Sequence, residues 1–249
     1  MIKKIAILSL ASIALLSQAV NAQTKVGNAG VITGTVGVAS QYISKGLDAN
    51  RDKPTASLTG EFASSTDIQL ILGAGIFYSR PDLPVTPGAG FDYELDYNIG
   101  IRKSFDKLTL DLGYSFFTFP QVPDRFNADS GQYYAKAVFA ATKNTSLSVY
   151  YEQDDTGGLK PGSDRTPTGT TGERYIEIGL SHNFGPATAN ASYGDWDDHT
   201  SFYKLGLAKE FAGINFTADY IDQDRDSATW NANNRKGEKF FVAGASKSF

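Results

Sequence analysis

The segment FDYELDYNIGI, residues 91–101, alternates strictly between apolar and polar side chains. Its odd-numbered residues are aromatic or aliphatic, and its even-numbered residues include Asp92, Glu94 and Asp96. This period of two predicts a β-strand, because successive side chains of a strand point to opposite faces. Two environments fit such a strand: the apolar face packs in the core of a soluble sandwich, or it meets lipid while the acids line the interior of a transmembrane barrel.

The same alternation recurs along the chain and predicts about twelve strands. Most segments reach the roughly 9–11 residues with which a tilted strand crosses a bilayer. An even number of strands is also typical of bacterial membrane barrels. The predicted strands are residues 31–43, 54–63, 67–79, 91–102, 107–118, 131–142, 145–154, 173–183, 187–196, 201–210, 213–222 and 239–249.

The connections between these segments alternate in length. The even-numbered segments are followed by short connections such as SSTD and FAG, and most odd-numbered segments by longer ones. Only the connection DDH, after the ninth segment, is short where a long one is expected. Outer-membrane barrels show this arrangement, with tight turns at one end and long loops at the other. The fold class predicted is therefore all-β, a transmembrane up-and-down antiparallel β-barrel of about 12 strands. Lipid offers no hydrogen-bond partner to the backbone N–H and C=O groups of an exposed strand edge. The first and last strands are therefore predicted to pair.

The first 22 residues predict a cleaved signal peptide. Lys3 and Lys4 precede a short apolar run from Ile5 to Leu16, and the cleavage site is expected just before Gln23. Residues 23–249 then form the barrel domain, and the bacterial outer membrane is the expected location. Removing the two lysines changes the formal charge from −4 to −6, that is 21 − 27. This acidic balance argues against a nucleic-acid partner, and the lack of cysteine excludes a disulfide scaffold.

Alternation also predicts which charged side chains line the lumen. Acids outnumber bases eight to three in this set, which predicts attraction of cations if the lumen is open. The alternative is a plugged barrel in which these charges pair with one another, and residues 119–130 or 154–173 are candidates for folding inward as a constriction. The predicted lumen-lining set is Glu61, Asp92, Glu94, Asp96, Arg102, Asp111, Lys136, Glu152, Glu177, Lys204 and Asp219.

Catalytic and metal sites are weakly indicated. His182 and His199 are the two histidines of the chain, and a barrel hydrolase needs a base beside a nucleophile or water. An Asp–His pair near His199 is the enzymatic alternative, but we interpret both as ordinary loop or strand-end histidines. The segment DQDRD, residues 222–226, begins like a calcium loop but lacks the later Gly and Glu. We therefore expect no catalytic residues, metal or cofactor.

The last residue and a stretch near the N-terminus of the barrel domain resemble known patterns. The terminal Phe249 resembles the signal that the bacterial barrel-assembly machinery reads, although Lys247 departs from its apolar alternation. Residues 34–48, GTVGVASQYISKGLD, and 53–62, KPTASLTGEF, resemble the start of the TorF porin family, also called the Gcw_chp domain. The family pattern has a Tyr-Ile-Ser-Arg-Gly-like turn, and here Lys45 replaces the arginine. The resemblance implies an outer-membrane barrel and carries over no catalytic residue.

Together these features lead to three hypotheses about function. The first is a narrow, non-enzymatic channel for passive diffusion of small polar solutes, with a cation bias. The second is a closed structural or adhesive barrel that acts through its extracellular loops, and the third is the enzyme based on a loop histidine. The expected partners are outer-membrane lipid and lipopolysaccharide, the barrel-assembly machinery and small polar solutes, and the apolar exterior also allows oligomers.

Overall fold

The computed structural model describes residues 23–48, 53–78, 93–120, 130–155, 173–197, 200–224 and 237–249. The predicted signal peptide and parts of several long loops therefore lie outside the described residues. No α-helix in the described ranges has the length and apolar character to cross a bilayer. The strands are β1 (Thr24–Val26), β2 (Gly30–Ala39), β3 (Ile43–Ser44), β4 (Leu47–Asp48), β5 (Thr55–Ser64), β6 (Ile68–Tyr78), β7 (Tyr93–Phe105), β8 (Leu108–Thr118), β9 (Ser130–Ala140), β10 (Thr145–Asp154), β11 (Arg174–Asn183), β12 (Thr188–Trp196), β13 (Thr200–Phe211), β14 (Ile214–Asp224) and β15 (Lys239–Ser248).

Twelve of these strands, β2 and β5 to β15, form one closed antiparallel barrel. Each pairs with its neighbour in the sequence, and β2 pairs with both β5 and β15. The closure confirms the predicted fold class and the pairing of the first strand with the last. The short strand β1 pairs with residues 30–32 of β2, next to the stretch of β2 that pairs with β15. The sequence reading did not predict β1.

Eleven predicted segments match barrel strands with ends within three residues, but the first does not. That segment was predicted to run to Ile43, and the strand ends at Ala39. At this point the Ser40 amide donates to the carbonyl of Ala243 at 2.8 Å, and the Ala243 amide donates to Ser40 Oγ at 3.0 Å. The chain then turns inward and buries Tyr42 and Ile43 inside the barrel.

The two ends of the barrel differ as the connection lengths predict. At the end that we call the turn end, five short connections join β5 to β6, β7 to β8, β9 to β10, β11 to β12 and β13 to β14. The opposite end, the loop end, carries the connections at residues 40–54, 79–92, 119–129, 155–173, 197–199 and 225–238. Both chain termini of the described barrel lie at the turn end.

The opening segment shows how the two faces of the wall are used. Tyr97, Ile99 and Ile101 are about half exposed, at 47%, 54% and 50%. Between them Asp96 and Asn98 are buried, at 0% and 7%. A barrel wall is one sheet thick, so the polar residues point into the lumen and the apolar residues point outward. Placing three acids in lipid would cost up to a few kcal/mol each, depending on depth, which explains the direction of the alternation.

Aromatic side chains form two belts on the outer face. The belt at the loop end, the tyrosine belt, includes Tyr78, Tyr133, Tyr151, Tyr193 and Tyr203, together with Phe116 and Phe241. The belt at the turn end, the phenylalanine belt, comprises Phe105, Phe139, Phe184, Phe211, Phe216 and Phe249. Several tyrosine hydroxyls donate to a residue nearer the loop end, as Tyr193 does to Asp195 at 3.3 Å. Such belts are typical of the two membrane interfaces.

Candidate functional site in the barrel lumen

A short β-hairpin, which we call the inner hairpin (Ile43–Asp48), folds into the lumen from the loop end. β3 and β4 pair through Ile43 with Asp48 and through Ser44 with Leu47. The two-residue turn consists of Lys45 and Gly46, both with positive φ, at 49° and 80°. This is the backbone of the tight hairpin turn that favours Asn-Gly or Gly-Gly. Holding a lysine there costs about 1–2 kcal/mol, so its side chain must contribute compensating contacts.

Those contacts lie on the opposite wall of the barrel. The Lys45 ammonium forms an ion pair with Glu152 of β10, and both side chains are buried. The same ammonium lies 4.8 Å from the ring centroid of Trp196 and 5.5 Å from that of Tyr175. In the ring of twelve strands β10 is six positions from β2, from which the hairpin emerges. The inner hairpin therefore crosses the full width of the lumen.

A second anchor holds the base of the hairpin to the near wall. Tyr42 stacks on Phe77 with ring centroids 6.0 Å apart, and its hydroxyl donates to Glu94 Oε2 at 3.2 Å. Burial, followed by the negative charges of Glu94 and Asp96, raises the pKa of the Tyr42 phenol well above its ordinary value, so this hydroxyl keeps its proton. Asp96 is fully buried, and neither of its carboxylate oxygens has a hydrogen-bond partner among the described residues.

Apolar side chains pack around the hairpin. Ile43 belongs to a buried cluster with Tyr175, Phe202, Ile221 and Phe240. The ring of Phe202 also lies against Gly46, where an added Cβ would be 2.5 Å from Phe202 Cδ1. A side chain at position 46 would therefore push the hairpin away from β13. The loop-end half of the lumen is thus a small hydrophobic core built around a segment of the chain.

Nearer the turn end, charged residues form a second cluster, the arginine network. The guanidinium of Arg102 donates to Glu61 Oε1 at 2.8 Å and to Asp111 Oδ2 at 2.7 Å. The Tyr134 hydroxyl donates to Asp111 Oδ1 at 3.2 Å. All four residues are buried. The network joins β5, β7, β8 and β9 inside the lumen, as expected for paired charges in a dry environment.

The other predicted lumen residues are distributed along the wall. Lys204 lies 3.6 Å from Glu177, whose carboxylate also accepts a hydrogen bond from Tyr175. Lys136 is half-buried and pairs in register with Asp111. Asp219 of β14 is also half-buried. Asp92 lies outside the described residues, and the role of the whole set in selectivity stays a prediction.

Sequence reasoning missed the two residues that anchor the hairpin. Alternation places Tyr42 in the barrel wall, and Lys45 stands out only as part of a family motif, so the lumen gains a base absent from the predicted set. The predicted inward segments, 119–130 and 154–173, lie mostly outside the described residues. A partial signal was present in ISKGLD, residues 43–48, because a Gly at the second turn position fits the hairpin pattern, although Lys45 stands where Asn, Asp or Gly is usual.

The structure describes His182 and only part of the calcium-like segment. His182 lies at the turn end, where its ring contacts Phe184 and its Nδ1 is 2.8 Å from Thr145 Oγ1. His199 lies outside the described residues, as do positions 225 and 226 of the calcium-like segment. Asp222 of that segment accepts a hydrogen bond from Tyr220 and is 3.5 Å from Lys239. Within the described ranges, no group of three or more His, Cys, Asp or Glu side chains is arranged to hold a metal ion.

Phe249 completes the seam between the first and last strands. Its amide donates to the Gly34 carbonyl at 2.9 Å, and its carbonyl accepts from the Gly34 amide at 2.8 Å. Its ring covers Gly34, where an added Cβ would be 2.5 Å from Phe249 Cε2. This close fit gives the terminal residue a structural role in closure. Its role as an assembly signal stays a prediction.

Residues 24–249 match the family model of a bacterial protein of unknown function, Gcw_chp. The chain belongs to this family. The match confirms the Gcw_chp resemblance read from residues 34–62, whereas the TorF name stays a prediction. No curated protein matches the chain.

Solved porins share the fold of this Gcw_chp protein. It aligns with the KdgM porin at a TM-score of 0.52 and 8% identity, over 87% of this chain and 99% of that one. The NanC porin aligns at a TM-score of 0.52 and 10% identity, over 87% and 98%. A KdgM porin in complex with disordered oligogalacturonate gives 0.50 and 7%, over 88% and 98%. At these identities the likeness shows a porin-like barrel and no more.

Proposed function

We propose that this protein is an outer-membrane channel for passive diffusion of small polar solutes, with a cation bias. The observation that carries the proposal is the composition of the inner face. Acidic side chains such as Glu94, Asp96 and Glu152 are buried inside the barrel, behind an outer face that is apolar. A barrel with a purely structural role would be at least as stable with apolar residues filling its lumen. The shared fold with the KdgM and NanC porins supports the same proposal.

The inner hairpin sets the width of this channel. It occupies the loop-end half of the lumen, so a solute entering from that side passes between the hairpin and the barrel wall. Glu94 lies at the near-wall anchor with Asp96 two residues along the same strand, whereas Glu152 at the far wall is paired with Lys45. Negative charge at a narrow point favours cations most strongly, because the low-dielectric wall focuses the field there.

Single-channel recording in planar bilayers tests the proposal. The refolded mature protein should give steady conductance steps whose reversal potential in a salt gradient is cation-selective. The double variant Glu94→Gln, Asp96→Asn should lose much of this selectivity. Asp195→Asn is the matched control, because Asp195 lies at the loop end but bonds to Tyr193 of the tyrosine belt. Equal selectivity in all three proteins would contradict a role for the luminal acids.

The second candidate is a closed structural or adhesive barrel, and the inner hairpin itself favours it. A segment anchored on both walls fills the lumen as a plug does. Replacing residues 42–48 by a short Gly-Ser linker separates the two candidates. A channel narrowed by the hairpin should gain conductance, whereas a structural barrel should stay folded and pass no current. Heat-modifiable migration on gels checks that each variant is folded.

A further inference from the structure

Three groups from adjacent strands surround the Lys45 ammonium. The carboxylate of Glu152 comes from β10, the Tyr175 ring from β11 and the Trp196 ring from β12. Glu152 and Tyr175 are each only 3% exposed. We call these three residues the ammonium cage. All of them belong to the barrel wall, and only the cation that they hold comes from the inner hairpin.

We propose that the ammonium cage is a binding site for solutes that carry a primary ammonium group, and that Lys45 occupies it as an internal competitor. The inference names a solute class for the luminal site, and in that respect it rests on the proposed function. The binding itself requires only a folded barrel.

The chemistry of the cage selects for such a cation. A buried carboxylate needs a charged partner, since leaving it unpaired in a dry site is strongly unfavourable. Aromatic faces within about 6 Å add attraction for a cation, and this attraction grows as the site loses water. A neutral solute of the same size would gain neither contribution. An anion would be repelled by Glu152.

The backbone conformation of Lys45 indicates that contacts with the cage stabilise this residue in its position. Its φ of 49° belongs to a conformation that favours glycine or asparagine. The hairpin would form more easily with either residue at this position, so the contacts of the lysine side chain offset the backbone strain. A tethered ligand has an effective concentration on the order of millimolar. A free amine must therefore compete against that concentration, which gives the intact protein a weak apparent affinity.

Chemical rescue tests the proposal in detergent-solubilised protein. In Lys45→Gly the turn gains a residue that its φ favours, and the cage loses its cation. n-Butylammonium has the length of the lysine side chain and serves as the probe. The chain has two tryptophans, so a Trp230→Phe background leaves Trp196 as the only tryptophan, which is excited selectively over tyrosine. Lys45→Ala, read in the same way, replaces the glycine variant if that variant does not fold.

We expect butylammonium to change Trp196 fluorescence saturably, with an apparent affinity at least about tenfold higher in Lys45→Gly than in the unmutated chain. In Lys45→Gly, butanol should bind about tenfold more weakly than butylammonium, which corresponds to about 1.4 kcal/mol. Adding Glu152→Gln to this variant should make the two affinities equal. Equal binding of butanol and butylammonium, or no saturable change, would overturn the proposal. Because no current is measured, a barrel that binds amines but does not conduct would contradict only the proposed channel.

Discussion

At the scale of single residues, the inner face shows charges held by specific partners. Arg102 lies between Glu61 and Asp111, with hydrogen bonds of 2.7–3.2 Å to both. One guanidinium thus compensates two buried carboxylates. Alternation along each strand was enough to place all three side chains on the inner face. Asp111 faces Arg102 directly across the short β7–β8 turn, whereas the pairing with Glu61 was not predictable, because that residue lies 41 positions away in the sequence.

Removing Arg102 should therefore destabilise the barrel. We expect Arg102→Met to lower the free energy of unfolding by about 3 kcal/mol or more, since Glu61 and Asp111 are left buried without a cation. Unfolding by urea or guanidinium in lipid vesicles measures this change.

The neighbouring Lys103 provides a matched control. It pairs with Asp67, whose side chain is 84% exposed, so Lys103→Met should cost less than about 1 kcal/mol. Similar losses for the two variants would mean that water reaches the arginine network freely.

At the scale of elements, the inner hairpin is the feature that the sequence reading missed. The alternation of VITGTVGVASQYI continues past residue 39, and periodicity contains no sign that the strand stops. What ends the strand is tertiary: Ser40 bonds to Ala243, and Tyr42 finds a stacking partner in Phe77. Both partners are distant in the chain. Gly46 allows a turn to be predicted at Lys45–Gly46, but the location of the hairpin inside the lumen cannot be predicted from the sequence.

Gly46 should be essential to the position of the hairpin. Gly46→Ala adds a Cβ at a φ of 80° and places it against the ring of Phe202. We expect the hairpin to leave its site, and Lys45, only 7% exposed in the native structure, to become accessible. Limited trypsin digestion with mass mapping of the cut after Lys45 measures this displacement.

Gly60→Ala is the control for the glycine substitution, because nothing lies within 4 Å of its added Cβ. This variant should show the native protection at Lys45. Protection that persists in Gly46→Ala would show that the two anchors alone suffice to hold the hairpin.

At the scale of the whole molecule, the outer face decides the environment. On the outer face of β13, Leu205 and Leu207 are 58% and 59% exposed. On the inner face of the same strand, Lys204 is 7% exposed. This is the reverse of a soluble protein. The number of barrel strands, their order and the two kinds of connection all follow from the sequence, because periodicity and loop length are local properties. The closure of the ring also follows, since lipid tolerates no open edge.

A charge on the outer face should be costly in a way that depends on depth. Leu205→Arg, at the middle of β13, should cost about 2–4 kcal/mol of unfolding free energy in lipid vesicles. Ile214→Arg, at the first residue of β14 near the turn end, should cost about 1 kcal/mol or less. Equal costs at the two positions would contradict the placement of the membrane between the two belts.

The two belts differ in chemistry, and the difference has a consequence for insertion. Tyrosine hydroxyls at the loop end seek hydrogen-bond partners, as the pair Tyr193–Asp195 shows, whereas the phenylalanine rings at the turn end have no polar group to satisfy. The outer membrane is itself asymmetric, with sugar- and phosphate-rich lipopolysaccharide in one leaflet and phospholipid in the other. A barrel with a hydrogen-bonding rim and a purely apolar rim can distinguish these leaflets. The two belts therefore favour one orientation of the barrel in the membrane, in addition to any orientation imposed during assembly.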